Sequence, residues 1–132
     1  MKTLCTIHAV AQREDGKILL LQRTDERDRP GKWNCVTGYI KEKEPAEEAV
    51  LRELQEETHL EGMLVKTADP YWFDLEGKLR MLIIASLVSV KGTDSLHIDE
   101  RESRAFQWVA LDDPMIQKIP SLKLCLKKLG MI

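Results

Sequence analysis

Residues 38–60 read Gly38-Tyr39-Ile40-Lys41-Glu42-Lys43-Glu44-Pro45-Ala46-Glu47-Glu48-Ala49-Val50-Leu51-Arg52-Glu53-Leu54-Gln55-Glu56-Glu57-Thr58-His59-Leu60. Ala46, Val50 and Leu54 recur at four-residue spacing with Leu51 beside them, the pattern of a core-facing helical stripe. Pro45 suits a first helical turn, where its missing N–H is not needed. Glu44, Glu47 and Glu48 stand near the positive end of the helix dipole. The spacing predicts a helix from Pro45 to about Thr58.

Glu53, Glu56 and Glu57 occupy positions i, i+3 and i+4 of that helix. At 3.6 residues per turn they fall within an arc of roughly 100°. Like charges at this spacing repel by about a few tenths of a kcal/mol per pair. The acidic stripe adjoins the Val50–Leu54 stripe and does not lie opposite it, which puts the carboxylates at the edge of a cleft. Two readings fit: a solvated acidic face made of good helix formers, or a site for hard divalent cations, which take oxygen ligands and bridge carboxylates to substrate phosphates.

Outward from this helix, residues 4–12 and 17–23 are strand-like runs around Glu14-Asp15-Gly16-Lys17, a hairpin signal because glycine accepts positive φ. Residues 24–31 are polar, contain Pro30-Gly31 and read as an exposed loop. Trp33 to Ile40 is predicted as a short strand ending at Gly38. Tyr71–Leu75 and Met81–Val90 flank a Glu76-Gly77 turn, and the second run is apolar enough for a central strand buried on both faces. Residues 91–103 read as loop and Ala105–Ala110 as strand. Leu122, Cys125, Leu126 and Leu129 form a second helical stripe, stopped by Gly130. Strands with two interspersed helices predict a single α/β domain with a mixed sheet.

The chain has 132 residues, 43% of them hydrophobic, enough for one core, and a formal net charge of −2 that argues against general nucleic-acid binding. No apolar run reaches membrane-spanning length, and residues 4–11 read better as a first strand than as a signal peptide, so a cytoplasmic protein is expected. Cys5, Cys35 and Cys125 are odd in number and widely separated, and His8, His59 and His97 have no ligand spacing to one another. Neither a disulfide scaffold nor a zinc finger is predicted. All six read as small buried or surface residues.

Gly38, five residues, Glu44, seven residues, then Arg52-Glu53-Leu54-Gln55-Glu56-Glu57-Thr58-His59-Leu60 resembles the Nudix box, G-x5-E-x7-R-E-U-x-E-E-x-G-U with U aliphatic. His59 replaces the last glycine and every other specified position matches. Such a match arises by chance about once in ten million starts at ordinary residue frequencies. The box spans Gly38–Leu60, and the order of hairpin, box, long strand and C-terminal helix extends the resemblance loosely over the chain. His59 falls where the helix ends and positive φ is commonly needed, a conformation that histidine tolerates better than β-branched residues do.

The resemblance implies an α/β/α sandwich with a mixed sheet and a Mg2+- or Mn2+-dependent pyrophosphohydrolase. Glu53, Glu56 and Glu57 would be metal ligands, joined by the Gly38 carbonyl. Arg52 would orient a carboxylate, Glu44 would be a structural member, and Glu102, ahead of Glu100, would be the further acid from the loop before the next strand. Arg23, Arg27, Arg29 and Lys32 could touch phosphates or be solvated surface charges, and Trp33, Tyr71, Trp72 and Phe73 could stack on a base or pack in the core or rim.

Trp33-Asn34-Cys35-Val36-Thr37-Gly38 is similar to the W-x-x-V-T-G run of dihydroneopterin-triphosphate and some dNTP pyrophosphatases, where most relatives have Pro-Gly-Gly. The expected substrate is thus a nucleoside triphosphate or related pterin triphosphate, cleaved to monophosphate and pyrophosphate, with no membrane partner and room for a homodimer. Three rivals stand beside it: an ADP-ribose or other NDP-sugar hydrolase, a catalytically weak ligand-sensing or protein-binding module on the same fold, and a diphosphate isomerase using Cys35.

Overall fold

Alternation along the first strand builds both layers of the fold. In a computed structural model, which describes residues 2–24 and 29–132, Lys2–Gln12 forms β1. Ile7, Ala9 and Ala11 point to one face and Val10 to the other, and all four are fully buried. The remaining strands are β2 (Ile18–Arg23), β3 (Trp33–Asn34), β4 (Val36–Tyr39), β5 (Gly62–Thr67), β6 (Tyr71–Leu75), β7 (Leu79–Val90) and β8 (Ser103–Val109). The helices are α1 (Ala46–Thr58), α2 (Pro114–Gln117) and α3 (Pro120–Lys128).

β1 and β7 run parallel along their whole length, from Lys2↔Leu79 to Gln12↔Ser89. β7 carries β6 and β5 antiparallel along its other edge, one after the other. β4 pairs antiparallel with β1. β2 joins β1 at Gln12↔Ile18 and holds β3 and β8. The sheet is therefore mixed, as the sequence predicts. Consecutive burial of Ala85, Ser86, Leu87 and Val88 bears out the reading of β7 as a central strand covered on both faces.

α1 covers one face, burying Val50 and Leu54 against Ile7, Ala9, Val36 and Val88. α2 and α3 cover the other, where Ile116, Leu122 and Leu126 pack on Val10, Ile83 and Ala85. This is the α/β/α sandwich. Each fully buried leucine contributes about 1.5–3 kcal/mol relative to exposure.

The hairpin, β6, β7, β8 and the two main helices lie where the residues predict them. Trp33–Ile40 is not one strand. Asn34 Oδ1 accepts the Cys35 N–H at 2.8 Å, and the chain breaks there, with β3 pairing to β2 and β4 to β1. Two elements were not anticipated. β5 is one, an exposed edge carrying Met63 and Val65 outward. The other is α2, whose Asp113 cap accepts the Met115 N–H at 2.9 Å with proline next in line, a start signal present in the sequence. No helix among the described residues is long and apolar enough to cross a membrane.

Candidate active site

α1 presents its acidic stripe at the rim of a cleft of about 660 Å³, a volume typical of small-molecule sites. Glu53, Glu56, Glu57 and Glu102 all line it, with Gly38 and Asp99. Glu57 is 6% exposed, Glu53 half-buried and Glu56 exposed, so the three carboxylates step from core to solvent along little more than one helical turn.

Arg52 ties this edge together. Its Nε donates to Glu44 Oε2 at 2.7 Å and its Nη2 to Glu44 Oε1 at 2.9 Å, a two-pronged pair. Nη1 donates to Glu53 Oε1 at 3.0 Å and Glu56 Oε2 at 3.1 Å, and Nη2 also reaches the Tyr39 carbonyl at 3.0 Å. The guanidinium beside it, together with the Lys41 N–H, holds the Glu44 carboxyl down to about 2, and Arg52 is itself raised, first by Glu44. Glu44 thereby locks the arginine, and the arginine fixes two carboxylates of the stripe.

Gly38 permits the close approach. A Cβ there would collide with the Glu53 carboxylate. Its backbone φ is not in the left-handed region, so the glycine serves proximity rather than turn geometry. The carboxylate consequently lies directly against the main chain of β4.

The opposite wall comes from the segment before β8. His97 N–H donates to the Thr58 carbonyl at 2.9 Å and Asp99 N–H to the Glu57 carbonyl at 3.0 Å, which satisfies two C-terminal carbonyls of α1. Glu102 N–H and Ser103 N–H both donate to Asp99 O at 2.9 Å. This folded loop delivers Glu102 to the cleft, close enough for its charge to act on Glu53. Glu100 is exposed and does not line the cleft.

Burial pushes the Glu53 carboxyl up; Arg52 opposes this, and Glu56 and Glu102 reinforce it. Glu53, Glu56, Glu57, Asp99 and Glu102 thus face one cleft, and Arg52 offsets their charge only in part because it is shared with Glu44. The donor set is all oxygen and strongly anionic, and the main chain at Gly38 abuts it. These residues fit Mg2+ or Mn2+.

Arg23, Arg29, Lys32 and Trp33 line the same cleft, and Phe73, Leu75, Leu79 and Met81 supply an apolar wall. Tyr71 is instead buried in the core, and Trp72 is exposed and outside the cleft. Arg27 lies outside the described residues. His59 ends α1 in the left-handed conformation, φ 62° and ψ 8°, with its N–H donating to Gln55 O at 2.9 Å. It takes the geometry expected at the box glycine, and its ring meets His97 at 5.4 Å outside the cleft lining. Sequence reasoning did not find Asp99 or His8 in the lining. Asp99 sits within the acidic loop already singled out, whereas His8 carries no local signal.

Comparison with known proteins bears on the family and the fold. The NUDIX domain family model matches residues 3–128. A CTP pyrophosphohydrolase of Escherichia coli (strain K12) is 28% identical over 115 residues, 87% of this chain and 82% of that protein. An RNA pyrophosphohydrolase of Sphingopyxis alaskensis is 32% identical over 116 residues, 75% of this chain and 72% of that protein. The crystal structure of a MutT protein from Methanosarcina mazei Go1 superposes with a TM-score of 0.82 at 22% identity, covering 98% of this chain and 94% of that one. With sequence, fold and carboxylate helix in agreement, this chain belongs to the Nudix hydrolase family.

Proposed function

We propose that the chain hydrolyses a nucleoside triphosphate, or a related triphosphate such as a pterin triphosphate, to the monophosphate and pyrophosphate, in the presence of Mg2+ or Mn2+. One observation carries this reading: a single cleft joins the carboxylates of α1 to a basic side at Arg23, Arg29 and Lys32 and to a flat apolar side at Trp33 and Phe73. A phosphate chain attached to a ring system needs these three surfaces together. The relative named for CTP supports the same class.

Glu53, Glu56 and Glu57, with the Gly38 carbonyl and Glu102 across the cleft, would hold the cation. Bound there, it supplies neutralisation of the phosphate charge and a lower pKa for water. The chain's own groups do the rest. Arg52 keeps the Glu53 and Glu56 carboxylates turned to the cleft. Arg23 and Lys32 bind the outer phosphates, and Trp33 packs on the ring. Water forms a new P–O bond, the bridging P–O bond breaks, pyrophosphate leaves with the bonding pair, and a carboxylate of the stripe accepts the water proton.

The test is an assay of the full chain with nucleoside and deoxynucleoside triphosphates, a pterin triphosphate, ADP-ribose and NDP-sugars, reading pyrophosphate and monophosphate with and without Mg2+. Metal-dependent pyrophosphate release from a triphosphate supports the proposal. Turnover of ADP-ribose or NDP-sugars alone replaces the substrate class. Binding without turnover across the panel favours the ligand-sensing reading.

A further inference from the structure

On the far side of the sheet from α1, three donors meet that lie 27 and 90 positions apart in sequence. His8 on β1, Cys35 between β3 and β4, and Cys125 on α3 bring one ligand atom each to within 4.8 Å of one another, and all three are buried. Both cysteines are free thiols. His8 is 2% exposed, and its Nδ1 is buried without a hydrogen-bond partner. The Tyr71 hydroxyl, also buried and without a partner, stands next to Cys125. Buried imidazole and hydroxyl groups normally find a partner, so two such atoms around a thiol pair mark a polar centre that the protein's own groups leave incomplete.

We propose that His8, Cys35 and Cys125 form a second, soft metal site that takes Zn2+, separate from the carboxylate site of α1. The donor chemistry selects the ion. Thiolate and imidazole suit zinc, and carboxylate oxygens suit magnesium. Zinc bonds of about 2.3 Å to sulfur set tetrahedral ligand atoms about 3.8 Å apart, so the present spacing needs a contraction of no more than about 1 Å. Two thiolates and a neutral imidazole balance the 2+ charge, which a buried site whose cysteines belong to the hydrophobic core requires.

Metal binding deprotonates both thiols. Access is short: His8 lines the floor of the catalytic cleft, and Cys35 borders a small adjoining pocket with Glu57.

The test uses cobalt as the probe. Reduced, chelator-treated full chain is titrated with Co2+ in excess Mg2+, which occupies the carboxylates. The expected result is one equivalent of tetrahedral cobalt with a near-ultraviolet thiolate charge-transfer band, displaced by Zn2+. The band is lost in Cys35→Ser and Cys125→Ser and kept in Glu56→Gln. No band in the reduced wild-type protein, including one whose cysteines later oxidise to a disulfide, overturns the proposal, as does a band that survives in both serine variants. If the serine variants fail to fold, thiol modification of the wild type decides: Zn2+ protects two cysteines that Mg2+ leaves reactive, and equal reactivity overturns the site.

Discussion

The carboxylate rim and the buried thiol–imidazole group treat their polar atoms in opposite ways. The α1 carboxylates are gathered at a wet rim, graded from buried Glu57 to exposed Glu56, and held by a charged clamp through Arg52 and Glu44. The polar atoms of His8, Cys35, Cys125 and Tyr71 are buried beside apolar core residues, and the Glu57 charge reaches them at Cys35. The first arrangement suits hard cations and anionic substrates that exchange with solvent. The second suits a soft, charge-balanced ion that stays. His8 lines the same cleft that the α1 carboxylates enter, so donor type and burial, not the sheet, distinguish the two chemistries.

The largest effect is expected at the rim. Glu56→Gln or Glu57→Gln should leave the circular dichroism spectrum unchanged and lower kcat by at least about a hundredfold, since each removes negative charge where the cation binds. Cys125→Ser should leave magnesium-supported turnover in place. If the glutamate and cysteine variants lose turnover alike, the two groups do not act separately and the contrast fails.

Stability should divide more evenly. Leu54 faces the sheet from α1 and Leu126 from α3, and both are fully buried. Leu54→Ala and Leu126→Ala should each lose about 2–5 kcal/mol in a urea melt, the range for cavities in well-packed cores. Only Leu54→Ala should also reduce turnover well below its melting range, because it loosens the helix that aligns Glu53. Equal loss of turnover in both would mean that α3 positions the cleft as firmly as α1 does.

How much of this was legible follows from where the interacting residues sit along the chain. The carboxylate edge is local: Arg52, Glu53, Glu56 and Glu57 meet through helical spacing, and Glu44 reaches Arg52 across only eight positions. Residues 38–60 therefore carry that geometry in their own order. Glu102 is distant, but it rides on a loop ending at β8, and the resemblance pointed to it. The His8–Cys35–Cys125 group depends on β1, the β3–β4 break and α3 all being in place, and no spacing rule links those positions. The break at Asn34 escaped notice because a side chain capping its neighbour's N–H leaves the hydrophobic pattern intact. β5 escaped because Met63 and Val65 face solvent, so its apolar residues do not mark a buried face.

Gly38→Ala sharpens the contrast at a single atom. The added methyl meets the Glu53 carboxylate and must displace it. Misplacement of a ligand by about 1 Å can cost up to a hundredfold, so a fall in kcat of roughly ten- to a hundredfold is expected, with little change in melting temperature. The same substitution should leave cobalt uptake at the thiols intact, because Gly38 pairs with Ile7, whose side chain faces α1, and not with His8. A loss of both signals would show strain passing through β4 from one face to the other.

The smallest effect is expected at His59. Its left-handed conformation costs an L-residue about 1–2 kcal/mol, less for histidine than for most, and glycine would remove that strain while giving up the ring contact with His97 and adding freedom to the unfolded chain. The balance for His59→Gly is a gain of about 0.5 kcal/mol, a rise of a few degrees in melting temperature. Turnover should hardly move. The carbonyls of Glu57 and Thr58 are held by the Asp99 and His97 N–H groups, and those bonds do not depend on the side chain at 59. A large increase in kcat/KM for His59→Gly would mean that the helix end controls the carboxylates after all, and that the histidine restrains this site.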